Sequence, residues 1–165
     1  MASMRRVVIL GRGGSGKSTF AARLGSDTGL PVIELDQHFW RPGLEATPPD
    51  RWAAVQAELA RGEAWIMEGD LGPHDVPEVR LRAADTVILL DFPFWRCAWR
   101  AVRRSRQRAD FWRWVWGYRR RSRPLLLAAI TAHAGGAELY VIRSPRAVRR
   151  FLARRNGKTG RGRLP

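Results

Sequence analysis

One octapeptide near the start of the chain, Gly11-Arg12-Gly13-Gly14-Ser15-Gly16-Lys17-Ser18, constrains the fold more than any other feature. It follows an apolar run, Val7 to Leu10, and leads into a segment with helical spacing from Lys17 to Leu24. The stretch therefore joins a buried strand to a helix. It matches G-x-x-x-x-G-K-[ST], and Thr19 comes next. Each residue type has a chemical reason to be there. Glycines let the backbone double back so that successive N–H groups converge on phosphate oxygens. The following helix adds the positive end of its dipole. Lys17 supplies a mobile charge for the β- and γ-phosphates, and the Ser18 hydroxyl can coordinate Mg²⁺. Gly11, Gly13, Gly14, Ser15, Gly16, Lys17, Ser18 and Thr19 are thus the expected triphosphate contacts.

The rest of the chain supplies the frame such a loop needs. Apolar runs at Arg5–Leu10, Pro31–Asp36, Ala64–Glu68, Thr86–Phe92 and Glu138–Ile142 read as five short strands. Helical spacing appears between them at Pro48–Ala60, Val76–Ala83 and Pro145–Arg154. It also runs from Phe94 to Ala132, with breaks at Ser105–Asp110 and Ser122–Pro124. Alternating strands and helices predict an α/β fold, a doubly wound five-stranded parallel sheet with helices on both faces. The expected organisation is one domain over residues 1–155, with a short helical lid at about 104–112 and a basic flexible tail over 156–165.

Ligands of open parallel sheets sit beyond the carboxyl ends of the strands. Asp36, Glu68, Asp70 and Asp91 fall at such ends. One is expected to hold Mg²⁺, and another to accept a proton from a substrate hydroxyl. For Asp91, ahead of Phe92-Pro93, capping the next turn is an equal alternative.

Composition narrows the function classes. No run of 18 apolar residues is present to span a membrane, and no signal-peptide pattern precedes the first strand, so a cytoplasmic location is expected. A single cysteine, Cys97, precludes an internal disulfide. The net charge is +15, and only Lys17 and Lys158 among the 30 basic residues are lysines. Arg96–Arg123 holds eleven arginines against one acid, Asp110. Such fields attract polyanions: nucleotides, phosphorylated substrates, nucleic acid or anionic lipid. Trp95, Trp99, Trp112, Trp114 and Trp116 lie among those arginines, and the four-residue spacing within two pairs marks a packing stripe rather than a base-stacking platform. His38, His74 and His133 are too scattered for a metal site. No Asn-Lys-x-Asp guanine motif occurs, which argues against a GTPase.

With these residues placed, the chain resembles the bacterial adenylate-kinase-related P-loop proteins labelled DNA topology modulation proteins. The likeness is carried by GRGGSGKST (11–19), LPVIELDQHFW (30–40), EAWIMEGD (63–70), VRLRAADTVILLDFPFWRCAWR (79–100) and IRSPRAVRRFL (142–152). It implies that Asp36, Phe39 and Trp40 line a phosphoryl-acceptor pocket, with Asp70 nearby and Arg80 on the acceptor. It also implies that Glu68, with Ser18, serves Mg²⁺, and that Arg100 and Arg104 meet ATP from the lid. Two departures stand out. Glu68-Gly69-Asp70-Leu71 replaces an Asp-Gly-Asn-Tyr-like element, and the lid insert is reduced to SRQRAD (105–110).

The expected activity is transfer of the γ-phosphoryl group of ATP to a small nucleotide or nucleoside-like acceptor, with Lys17, Asp36 and Arg104 catalytic. The alternative is a nucleotide-regulated nucleic-acid-binding protein with slow ATPase activity, its basic helices gripping phosphates. Oligomeric state and acceptor identity are not legible in the chain.

Overall fold

The computed structural model describes residues 4–43, 45–71, 75–93 and 122–159. The first strand, β1 (Arg6–Gly11), alternates its apolar side chains across the sheet. Val7 and Ile9 join one core and Val8 and Leu10 the other, all four fully buried. Only a central strand needs apolar residues on both faces. β1 accordingly pairs in parallel with β5 (Trp65–Glu68) on one side and β6 (Thr86–Leu90) on the other. β2 (Val32–Glu34) and β7 (Glu138–Ile142) are the edges, giving the all-parallel order β2-β5-β1-β6-β7. The burial of each strand follows its place: β5 and β6 are buried throughout, while β2 and β7 are largely exposed.

Helices cover both faces. α1 (Lys17–Thr28) and α6 (Pro145–Thr159) lie on the Val7 face, where Phe20, Ala21 and Leu24 meet Ile66, Ile88 and Leu90. α3 (Pro49–Leu59), α4 (Glu78–Ala83) and α5 (Ser122–His133) lie on the Val8 face, contributing Trp52, Leu81, Leu126 and Ile130. The expected doubly wound sheet is present, with all five strands in the expected places.

Boundaries differ in instructive ways. The second strand stops at Glu34, and Leu35–Phe39 forms a one-turn helix, α2, followed by a hairpin of β3 (Trp40–Arg41) and β4 (Glu45–Ala46). Buried Leu35 and Phe39, four residues apart, anchor that turn, a spacing that an extended reading of PVIELD passes over. α5 is described from Ser122, and Pro124 lies within it, where a break was expected. α6 continues to Thr159, beyond the expected start of the tail. The expected lid, with Arg100, Arg104 and the interleaved tryptophans, lies outside the described residues. Among the described residues no helix is long and apolar enough to cross a membrane.

Candidate active site

The carboxyl ends of β1, β5 and β6 open into a cleft of about 710 Å³. Its floor is the Gly13–Thr19 stretch, its acidic wall Asp36 and Glu68, and its far side Pro145, Val148 and Arg149 of α6. Glycine is required where the chain enters the floor. At Gly11, φ is +146° and a Cβ atom would lie 2.6 Å from the Leu90 carbonyl oxygen. Gly14 and Gly16 also take positive φ, 78° and 89°. Gly16 caps α1 without a side-chain hydrogen bond, so the first N–H groups of the helix face the cleft rather than a cap. Ser15 N–H donates to the Arg12 carbonyl at 3.1 Å and closes the loop. The Lys17 ammonium folds back over it, donating to Gly11 O at 2.8 Å and Arg12 O at 3.3 Å. A phosphate entering the loop would meet that ammonium at its rim.

Glu68, the last residue of β5, pairs in register with Ile9 of β1 and Glu34 of β2. That register carries it to the mouth of the loop, where its carboxylate accepts a hydrogen bond from the Ser18 hydroxyl. Burial pushes the Glu68 carboxyl above the usual glutamate range. Lys17 and the Ser18 bond oppose this, and Asp36 and Glu34 add to it. Asp36, in the first turn of α2, is open to solvent on the cleft side. The surrounding walls still raise its carboxyl, Lys17 opposes, and Asp75 and Glu34 push it further up. Two carboxylates, one hydroxyl and one ammonium therefore meet at the end of the phosphate loop.

These groups fit a magnesium nucleotide. Mg²⁺ takes hard oxygen donors and uses one or two carboxylates alongside substrate phosphates and water, rather than an all-protein cage. Among the described residues there is no cluster of three or more His, Cys, Asp or Glu that could hold a metal alone. Ser18 and Glu68, with Asp36 beside them, offer the hard oxygen donors such an ion takes.

Other expected residues lie elsewhere. Phe39 is fully buried, with its ring edge-on to Trp52 and Trp40, so it packs in the core beneath α2. Trp40 is 45% exposed. Asp70 follows Gly69 and is half-buried. Arg80, expected against the acceptor, is wholly interior. Its guanidinium pairs with Asp75 at 2.6 and 2.8 Å and donates to Gln56 Oε1 at 2.7 Å and Gly69 O at 3.3 Å. An arginine in VRLRAAD (79–85) reads as a ligand contact until Asp75 and Gln56, distant in sequence or across a turn, are seen to use its donors. Asp91, just past β6, is gripped by Arg123 at 2.9 and 3.1 Å, with Arg143 at 3.8 Å. The sequence reading missed Arg149, whose signal was only that it lies one turn into the helix after the last strand.

No protein-family model matches the chain, and no curated protein matches it. Solved structures do. A shikimate kinase from Acinetobacter baumannii, in complex with shikimate, aligns over 99% of this chain and 97% of its own at TM-score 0.65 and 17% identity. The fold is that of the small P-loop kinases. A sugar kinase from Janibacter matches at TM-score 0.57 and 22% identity, covering 95% of this chain and 92% of its own. A gluconokinase from Sinorhizobium meliloti matches at 0.54 and 17%, covering 96% and 98%. These likenesses establish the adenylate-kinase-like architecture, and the narrower resemblance to DNA topology modulation proteins has no counterpart among them.

Proposed function

We propose that this chain is an ATP-dependent kinase that moves the γ-phosphoryl group onto a hydroxyl of a small acceptor. The observation that carries the reading is the meeting of Lys17, the Ser18–Glu68 pair and Asp36 at the mouth of one glycine-rich loop. The loop amides and Lys17 would hold the β- and γ-phosphates. Ser18 and Glu68 would hold Mg²⁺, which when bound offsets charge on the β- and γ-oxygens. The acceptor oxygen attacks the γ-phosphorus while the bond from that phosphorus to the β–γ bridging oxygen breaks. ADP departs, and the hydroxyl proton passes to Asp36, whose raised carboxyl suits it to receive one.

The presence of a base favours a hydroxyl acceptor over a phosphate acceptor, which would need none. The shikimate, sugar and gluconate kinases that share the fold act on polyhydroxylated molecules by their names, and that supports the same class here. Arg100 and Arg104 would complete the charge around the migrating group. The nucleic-acid-binding alternative draws no support from these neighbours.

The test is ADP release measured across a panel of polyols, sugar acids, nucleosides and nucleotides. The reading expects at least one hydroxylated acceptor to raise the rate well above that in water alone. If none does while Lys17→Ala still abolishes basal hydrolysis, the kinase reading is wrong.

A further inference from the structure

Arg80 is, among the described residues, the one charged side chain buried completely, at 0% exposed, and the mechanism above leaves it unused. Burying a guanidinium is costly unless every contact is well made. Its partners come from three separate pieces of chain. Gln56 Oε1, from α3, accepts at 2.7 Å. Both oxygens of Asp75, ahead of α4, accept in a fork. Gly69 O, just past β5, accepts from Nη2 at 3.3 Å. Asp75 is itself tied further, accepting from Trp52 Nε1 at 3.3 Å and Leu71 N–H at 3.4 Å. Burial alone would raise the Asp75 carboxyl, but Arg80, together with these donors, holds it below the usual aspartate range.

The consequence lies in what the network touches. Gly69 follows Glu68 directly: its N–H donates to Ile9 O of β1 at 3.4 Å, and its carbonyl, one peptide further on, accepts from Arg80, so the chain leaving Glu68 is held on both sides of Gly69. Trp52 also packs edge-on against Phe39, at 5.2 Å between ring centres, and Phe39 closes the short helix that carries Asp36. One buried cation thus braces the chain on either side of the acidic wall.

We propose that Arg80 is a positioning residue: through Gly69 O and Asp75 it sets the Glu68 carboxylate for the metal-bearing phosphates, without touching any ligand itself. The inference rests on the reading of Glu68 as the metal-side group. Groups that hold a metal ligand from behind typically matter 10- to 100-fold for metal affinity.

The experiment measures, by titration calorimetry, the gain in ATP affinity that Mg²⁺ confers. Arg80→Lys keeps a cation but loses the fork, and should forfeit about 10- to 100-fold of that gain while metal-free ATP affinity stays within about twofold. Asp75→Asn loosens the same fork and carries the same expectation, so the test survives if either variant fails to fold. Gln56→Met controls for damage to packing. It breaks bonds to Arg80 and Val76 O yet leaves the Arg80–Gly69 contact, and should lose stability while retaining the gain. The proposal is overturned if folded Arg80→Lys or Asp75→Asn keeps the full gain that Glu68→Gln loses. It is also overturned if Gln56→Met loses the gain equally. If Glu68→Gln itself keeps the gain, the metal-side reading of Glu68 fails first, and this inference with it.

Discussion

Gly69→Ala probes how tightly the acidic wall is built. Gly69 has φ +151°, and a Cβ atom there would stand 2.9 Å from Leu35 Cβ. A non-glycine residue held at such an angle costs about 1–3 kcal/mol. The contact adds to this, because carbon pairs prefer roughly 3.5–4.0 Å. Leu35 has no easy retreat: it is fully buried, and its Cβ is fixed to the backbone of α2 rather than sitting at the end of a side chain. Overpacking of this kind costs about 1–3 kcal/mol, for a sum near 4 kcal/mol. At about 2–4 °C per kcal/mol for a domain of this size, the melting temperature should fall by about 8–16 °C. Gly29→Ala is the control. Its φ is +74° with nothing within 4 Å, so only strain of about 1–2 kcal/mol applies. Thermal unfolding followed by circular dichroism separates the two. If Gly69→Ala loses no more than Gly29→Ala, the wall yields easily and the claim of a rigid Leu35–Gly69 contact is wrong.

Lys17→Met should weaken ATP binding by about 10- to 100-fold, the worth of its charge-assisted bonds, as read by calorimetry. Glu68→Gln should stabilise the nucleotide-free protein at neutral pH by about 0.5–2 kcal/mol while abolishing the benefit of Mg²⁺, as sites built for function often oppose stability. The raised Asp36 and Glu68 carboxyls mean that the folded protein binds more protons than the unfolded chain. Nucleotide-free stability from these groups is therefore greatest below their unfolded values and declines as pH rises through the folded ones. Magnesium-dependent ATP affinity should run the opposite way, falling as pH drops through the same raised range; a profile flat down to pH 4 would contradict it. Asp91→Asn should cost about 1–3 kcal/mol in chemical denaturation by loosening the partly buried fork to Arg123.

Much of this architecture was legible because central parallel strands announce themselves. Val7 to Leu10 must be apolar on both faces, and Trp65 to Met67 and Val87 to Leu90 follow the same rule. The phosphate loop was equally plain, since few other structures demand that spacing of glycines ahead of Lys17. The edge was harder. Residues 31–36 were read as a strand, yet the chain turns into a helix at Leu35, because the pull of buried Leu35 and Phe39 on one face outweighs local strand propensity. Arg80 was legible as important but not in its role. A motif reports that an arginine is needed, whereas its donors are assigned by Asp75 and Gln56, whose approach depends on how α3 docks beside α4.

Charge balance ties these pieces together. Asp36 and Glu68 both face the ammonium of Lys17 at the loop mouth; burial is the main cause that raises each, and neighbouring carboxylates add to it. A triphosphate arriving alone would add negative charge beside these carboxylates. The same triphosphate carrying a divalent cation relieves the carboxylates as it binds, so its phosphates and the acidic wall cease to repel. On the function proposed above, Asp36 and Glu68 would favour the metal complex of ATP over free ATP. The buried Arg80–Asp75 pair cannot supply positive charge from below, because its guanidinium is already committed to Asp75, Gln56 and Gly69. Its contribution is stiffness, which keeps Glu68 from relaxing away from its neighbours and so preserves the arrangement that would favour the metal-bound nucleotide.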